Sequence, residues 1–330
     1  MASPASPRRR PAAPKPETSG LLAVDKPAGP TSHDVVEIVR ERLEAPGAGH
    51  LGTLDPAATG LLLVAVGAAT RCVTVWQRGE KTYEATIRFG LETSTQDLQG
   101  EVLARREALP AESAIREATR EFVGDIEQLP PMMSAVKVGG RRLHTLARRG
   151  ETAPRAVRRV RVEDWTWLGF SGDEARCRIR CSGGTYVRTL AHDLGRRLGC
   201  GGAVASLRRL RSEPFDLYRA VTLDELRALD AAAIWRRGGI PLREALAHLP
   251  NVVLSEDELK RIGHGNPVRR EALERDGVAS PRSEVVLLDA DDRPQALAEW
   301  SAPATGTGVD AEVAWLQPRV VFPWAVIESP

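Results

Sequence analysis

The 330-residue chain holds only four cysteines, Cys72, Cys177, Cys181 and Cys200. They are too few, and too irregularly spread, for a disulfide framework. Cys177 and Cys181 are close together, but no second Cys or His pair follows at zinc-site spacing, so no metal is expected. Buried free thiols in a reducing cytoplasm are the simpler expectation. No stretch approaches the roughly 18 consecutive apolar residues that a membrane helix needs. The basic N-terminus lacks an apolar core segment and does not read as a secretory signal. There is no P-loop and no G-x-G-x-x-G, which removes support for a nucleotide cofactor. No internal repeat is visible.

What is present suits a globular protein. Hydrophobic residues make up 42%, with 29 glycines besides, so a sizeable core can form. The length accommodates one large domain and a small one. The net charge of +2 is uninformative alone. Its distribution says more: residues 137–219 hold 19 Lys/Arg against 8 Asp/Glu, whereas residues 21–136 hold 11 against 17 and residues 220–330 hold 12 against 18. A basic middle third suggests a phosphate-facing surface. Solvated arginines of a high-GC proteome explain it equally well.

Residues 1–19 are rich in Pro, Ala and Arg without periodicity and read as a disordered basic tail. A short apolar strand starts at Gly20. Thr31 and Asp34 form a capping-box pattern, ahead of Val35, Val36, Ile38, Val39 and Leu43 at helical spacing up to Pro46. Residues 47–60 read as a Gly-rich loop and Leu61–Val66 as a buried strand. Thr82–Phe89 alternates, with Tyr83, Ala85, Ile87 and Phe89 on one face. A helix is expected over 111–123. Strands are expected over 158–170 and 174–181, the second with Arg176, Arg178 and Arg180 on one face, as phosphate contacts or as plain solvent-exposed residues. Helices are expected over 186–198 and 222–231, with a short helical piece from Pro241. Composition changes near His248–Pro250. Beyond it, strand-like runs at Glu284–Asp289, Gln295–Trp300, Val313–Leu316 and Val320–Phe322 suggest a small β-rich unit. Strands and helices without regular alternation imply an α+β fold with a mixed or antiparallel sheet.

One segment carries chemistry. Gly49-His50-Leu51-Gly52-Thr53-Leu54-Asp55-Pro56-Ala57-Ala58-Thr59-Gly60 sets a single acid in a turn-prone loop before a buried strand. Pro56 restricts Asp55 to an extended backbone. A carboxylate fixed at a loop tip can act as a nucleophile or a base, and an Asx-turn acid fits the same pattern.

This segment closely resembles the catalytic-loop motif of the TruB family of tRNA pseudouridine synthases. Further motifs follow that family in order over about residues 20–215. They are Lys26-Pro27-Ala28-Gly29-Pro30-Thr31-Ser32, Lys81-Thr82-Tyr83-Glu84-Ala85, Thr93 to Asp97 with Gly100, and Pro130-Pro131-Met132 with Ser134 to Lys137. Gly140, Arg141 and Arg142 come next, followed by Cys181 to Leu190 with Asp193-Leu194-Gly195, and Leu207 to Arg211. Met133 stands where the family usually has an aromatic residue and His144 where a Tyr is common, both within residues 129–156, which form an RNA-gripping insertion in the family.

The resemblance implies a pseudouridine synthase fold, with a mixed, largely antiparallel central sheet flanked by helices. It implies a catalytic domain over 20–249 and a PUA-like RNA-binding domain over 250–330. It implies isomerisation of a T-arm uridine at the conventional position 55 of tRNA, by base flipping and without a cofactor. Asp55 falls on the nucleophile. Arg188 is the implied cation that keeps Asp55 ionised against the effect of burial. Tyr83 would stack on the flipped uracil and offers its hydroxyl for proton transfer. His50, Tyr186, Leu207, Lys26, Arg141 and Arg142 are implied substrate contacts. Recognition would rest on the folded shape of the T arm, since phosphate contacts position RNA without reading it. The chain is expected to act as a cytoplasmic monomer on tRNA, with a coexisting tRNA-folding role. A guide-dependent synthase inside a ribonucleoprotein and a non-catalytic RNA-binding protein are the alternatives.

Overall fold

The computed structural model describes residues 16–271, 284–301 and 313–325. Residues 1–15 of the expected tail lie outside them. The end of that tail departs from expectation, because Pro16–Thr18 form a 3₁₀ turn and Ser19 is buried. Ser19 Oγ accepts from the Ala68 N–H at 3.1 Å and its carbonyl accepts from the Leu242 N–H at 3.0 Å, so two later segments tie it down.

The first half of the chain runs β1 (Gly20–Lys26), α1 (Ser32–Arg42), β2 (Ala48–His50), β3 (Thr59–Val66), α2 (Val73–Gln77), β4 (Lys81–Phe89), β5 (Leu91–Thr93), β6 (Val102–Arg105), α3 (Glu112–Thr119) and β7 (Gly124–Gln128). The Thr31/Asp34 capping box is formed at the start of α1. That helix stops short of Pro46, with Glu44 in a left-handed conformation at φ 48°. The insertion contributes the small hairpin β8 (Lys137–Val138) and β9 (Arg141–Arg142), then α4 (Leu143–Ala147). There follow β10 (Arg158–Ser171), β11 (Glu174–Cys181), α5 (Val187–Arg197), β12 (Gly202–Ser212), β13 (Phe215–Asp216), β14 (Val221–Thr222), α6 (Leu223–Ala228), α7 (Ala231–Gly238), β15 (Gly239–Pro241) and α8 (Leu242–Ala245).

The main sheet has the order β14-β1-β3-β12-β4-β11-β10-β7, with β13 on β12, β15 on β1 and β2 on β3. Among the described residues only its β1–β14 and β3–β12 pairs are parallel, so the sheet is mixed and largely antiparallel as expected. The alternation of β4 buries Tyr83, Ala85, Ile87 and Phe89 against α5 and α1 in one core.

Three local features go beyond or depart from the expectations. Strand β12 was not legible as a strand, though it lies at the centre of the sheet. The helix expected over 222–231 ends early, at Ala228, and a second one that the sequence did not suggest, α7, follows it, with Asp230 as its cap accepting from the Ala233 N–H at 2.7 Å. On β11 the three arginines share one solvent-facing side and lie beside carboxylates: Arg178 and Arg180 pair with Glu84 and Glu80 at 2.7 and 3.0 Å, and Arg176 lies 4.0 Å from Glu84.

A second sheet is built from β16 (Asn251–Val253), β17 (Val268–Glu271), β18 (Glu284–Leu288), β19 (Pro294–Ser301) and β20 (Val313–Val321), in the order β16-β18-β19-β20-β17. The two runs expected at 313–316 and 320–322 are one strand, since Pro318 sits at a bulge opposite Ala298 and keeps its pairing. Helix α9 (Glu256–Gly263) packs on this sheet. Val286, Leu288, Leu297 and Phe322 join a core cluster with Leu21, Trp76 and Leu246, so the two sheets share buried apolar surface. Among the described residues no helix is long and apolar enough to cross a membrane.

Candidate active site

Asp55 projects from the loop between β2 and β3, and the loop is held from below. Ser32, the first residue of α1, makes a reciprocal pair with Leu54: its Oγ accepts from the Leu54 N–H at 2.8 Å and donates to the Leu54 carbonyl at 2.9 Å. The ammonium of Lys26, at the end of β1, is fully buried and donates to the carbonyls of Pro27, Pro56 and Ala58 at 2.8, 3.1 and 2.7 Å. The Gly29 N–H also donates to the Pro56 carbonyl at 2.9 Å. The Lys-Pro-x-Gly-x-Thr-Ser run is therefore a clamp on the loop that carries Asp55. Lys26 consequently does not face the pocket as a substrate contact. Its three protons are spent on backbone oxygens, and burial lowers its pKa to about 8.

Arg188 stands in the first turn of α5, with its side chain only 5% exposed. Its Nε lies 2.9 Å from Asp55 Oδ2 and its Nη2 donates to Asp55 Oδ1 at 3.2 Å, a two-pronged pair. The remaining donors reach the carbonyls of Thr95 and Met133, each at 2.7 Å. Asp97 Oδ2 lies 3.7 Å from the same Nε. The start of α5 is itself fixed by the buried Gln128. The Tyr186 N–H donates to Gln128 Oε1 at 2.8 Å, and Gln128 Nε2 donates to the Tyr186 carbonyl at 3.0 Å.

The electrostatics oppose one another. Desolvation pushes the Asp55 carboxyl above its ordinary pKa; Arg188 pulls it down, Asp97 pushes it up and Lys26 pulls it down. The net direction is upward, although the side chain is 37% exposed. Water reaches one side of the carboxylate, but the protein packed around the rest outweighs it. Arg188 returns only part of what burial takes away.

Asp55 opens onto a pocket of about 380 Å³. Leu51 to Leu54 form one wall, Gly183 to Val187 another, and Tyr83, Leu207, Arg209 and Lys81 line it as well. Tyr83 is 8% exposed, and burial raises the pKa of its phenol. Leu207 on β12 pairs with Ala85 on β4 and also borders a second, smaller cavity on the Asp97 side of the ion pair. Ser134 and Ala135 bring the insertion to the rim. Among the described residues no cluster of three or more His, Cys, Asp or Glu side chains is arranged to hold a metal ion.

Asp55, Arg188, Tyr83, Tyr186 and Leu207 thus meet around one pocket. His50, Arg141 and Arg142 do not line it. His50 lies in β2 opposite Val64, its Nδ1 buried with no hydrogen-bond partner among the described residues, and burial lowers its pKa. Arg141 and Arg142 are exposed on β9, Arg141 within 3.4 Å of Glu151. Sequence reasoning missed Asp97, Lys81 and Arg209. Lys81 is buried, with its ammonium on the carbonyls of Trp76, Gln77 and Gly79 at 3.1, 3.2 and 2.6 Å. Their proximity in the Lys81-Thr82-Tyr83, Thr95-Gln96-Asp97 and Leu207-Arg208-Arg209 runs was the available signal.

Comparison with known proteins agrees with this geometry. The model of the TruB family pseudouridylate synthase N-terminal domain matches residues 40–187, and that of the tRNA pseudouridylate synthase B C-terminal domain matches residues 188–253. The tRNA pseudouridine synthase B of Paracoccus denitrificans is 47% identical over 251 residues, covering 76% of this chain and 84% of that protein. The enzyme of the same name from Thermobifida fusca is 46% identical over 259 residues, covering 76% and 86%. Among solved structures, the Cbf5-Nop10-Gar1 complex contains a chain that superposes with a TM-score of 0.69 at 28% identity, over 96% of this chain and 91% of that one. A chain of an H/ACA ribonucleoprotein bound to a substrate RNA containing 2'-deoxyuridine superposes with a TM-score of 0.65 at 26% identity, over 92% and 84%. With this fold, this pocket and these relatives, the chain belongs to the TruB family of pseudouridylate synthases.

Proposed function

We propose that this protein isomerises uridine to pseudouridine at position 55 in the T loop of tRNAs, with the carboxylate of Asp55 as nucleophile. The observation that carries the reading is the Asp55–Arg188 pair, with Nε–Oδ2 at 2.9 Å, set beside Tyr83 in a pocket open to solvent. The carboxylate attacks the nucleoside as the N1–ribose bond breaks. The freed uracil turns and rejoins the sugar through C5 as the bond to Asp55 breaks and releases the carboxylate; C5 then gives up its proton and N1, which left with the electron pair of the broken bond, takes one up. Electrons and atoms balance without redox chemistry, so the product is an isomer of the substrate.

Arg188 keeps Asp55 ionised for the attack, and Tyr83 stacks on the everted base. Base–aromatic stacking of about 1–3 kcal/mol offsets part of the few kcal/mol needed to unstack a nucleotide. Leu207 packs against the same base, and Tyr186 supports the pocket wall. The β9 arginines Arg141 and Arg142, remote from the pocket, hold phosphates of the T arm. The unit over 20–249 performs the chemistry, and the second sheet, within 250–330, adds RNA contacts. The protein acts in the cytoplasm, as a monomer and without a guide RNA.

The test is an unmodified tRNA transcript incubated with the purified chain and mapped for pseudouridine. Wild type modifies one T-arm uridine, and Asp55→Asn modifies none while still binding tRNA. Turnover by Asp55→Asn ends the nucleophile assignment. A wild type that binds without modifying identifies a binding protein, and one that needs added RNA and protein partners identifies a ribonucleoprotein subunit.

A further inference from the structure

We propose that Gln128 is a positioning residue for the isomerisation: it pins the entry of the insertion to the first turn of α5 and thereby sets Arg188 against Asp55. This rests on the roles given to Arg188 and Asp55 above. Gln128 is the last residue of β7, is paired with Arg158 on β10, and is 2% exposed. A buried amide is costly unless its donors and acceptors are met. Those of Gln128 are met by one residue, Tyr186: Oε1 accepts from the Tyr186 N–H at 2.8 Å and Nε2 donates to the Tyr186 carbonyl at 3.0 Å.

Tyr186 is the N-cap of α5, and its own side chain makes no capping bond. The N–H of an N-cap residue lies outside the helical ladder, while its carbonyl opens that ladder. Here the carbonyl accepts from the Leu190 N–H at 3.1 Å and from Gln128 together. Gln128 thus fixes the point at which α5 starts. Arg188 stands two residues further on, about 3 Å along the helix.

The same segment takes a second hold. The Met133 carbonyl accepts from Arg188 Nη2 at 2.7 Å, and that nitrogen also donates to Asp55 Oδ1 at 3.2 Å. Between Gln128 and Met133 lie Pro130 and Pro131, whose ring-locked φ stiffens the path. The Pro130 carbonyl accepts from Arg155 Nη1 at 2.9 Å, which ties the two ends of the insertion together. Residues 128–133 therefore hold the first turn of α5 twice, at its backbone and at the guanidinium. Loss of the first hold frees the helix start to shift, and displacements of about 1 Å are costly in a preorganised site. Two other accounts compete. In one, Gln128 only braces the fold; in the other, it only steadies the insertion for gripping RNA.

The experiment is a double-mutant cycle in the full chain. Each member is measured for single-turnover pseudouridine formation on an unmodified tRNA transcript and for tRNA affinity by filter binding. The members are wild type, Gln128→Met, Arg188→Lys and the double variant. Gln128→Met is expected to slow wild type by about tenfold or more while changing affinity by less than about threefold. In the Arg188→Lys background, where the two-pronged pair is already gone, it slows the reaction by less than about threefold. Equal slowing in both backgrounds overturns the proposal and leaves a brace. A loss of affinity as large as the loss of rate overturns it in favour of the RNA grip. A Gln128→Met variant within about threefold of the wild-type rate overturns it outright. Where melting curves show that Gln128→Met does not fold, Gln128→Asn, which keeps the amide but shortens its reach, takes its place under the same criteria. A wild type that forms no pseudouridine sinks the functional reading instead, and is scored before the cycle begins.

Discussion

The buried ammonium of Lys26 lies 2.7 Å from the carbonyl oxygen of Ala58, three residues beyond the acid that the loop presents. Replacing it with methionine removes the clamp while keeping most of the volume. Each backbone carbonyl left unmet costs roughly 1–3 kcal/mol, and relief from burying a charge offsets part of this. The expected outcome for Lys26→Met is a lower melting temperature and a slower single-turnover rate, with tRNA affinity changed less than about threefold, as fits a residue that holds the loop and not the RNA. Loss of tRNA affinity with an unchanged rate would return Lys26 to the substrate contacts.

Arg188 makes its contacts with two flat edges of one guanidinium. Lysine keeps the charge but cannot form the two-pronged pair. Arg188→Lys should therefore slow pseudouridine formation by at least about a hundredfold, with tRNA binding retained in a filter-binding assay. A drop of less than about fivefold under single-turnover conditions would mean that charge alone suffices and the pairing geometry is incidental.

The pH dependence follows from the direction of the Asp55 shift. Its folded pKa is raised, chiefly by burial, and the reaction needs the ionised form. Activity is therefore lost on acidification at a pH above the ordinary aspartate value, and the acid limb of kcat/KM reports that group. Asp97 contributes to the rise as a like charge. Asp97→Asn removes it, so the limb moves to lower pH. Movement of the limb to higher pH in that variant would contradict the sign assigned to Asp97.

All four thiols are free and buried. Burial pushes those of Cys72, Cys177 and Cys181 up to about 12 from the ordinary 9.0. A thiol that stays protonated in the fold but ionises in the unfolded chain draws stability away as pH rises from 9.0 toward about 12. Two outcomes are expected: a denaturation midpoint that falls over that alkaline range, and no reaction with a thiol-specific disulfide reagent at pH 8 until urea is added. Rapid labelling of native protein would disprove the burial.

The sequence was legible where local chemistry decides structure. The Thr31/Asp34 box and the alternation of β4 both depend on neighbours a few residues away. The Asp55 loop was legible through its resemblance to the TruB-family catalytic motif, since its residue types alone also fit an Asx-turn acid. What escaped depends on partners distant in the chain. Strand β12 hides under arginines, because the donors of Arg209 are met by carbonyls of residues 52 and 61 that leave no trace in composition. The family resemblance implied Lys26 as a substrate contact, whereas its acceptors in the fold are backbone oxygens, which any residue supplies. Arg188 was legible as a partner for Asp55, but its bond to Met133 was not.

The apolar interior common to both sheets has a practical meaning. Phe322, Leu288 and Val286 complete the surroundings of Trp76 and Leu246, so the second sheet is not a bead on a string. Cutting the chain near Pro250 would leave an oily wall facing water on the larger piece, and that piece would self-associate before it could be assayed. Questions about what the second sheet contributes to RNA are better put with charge substitutions on its outer surface than with scissors.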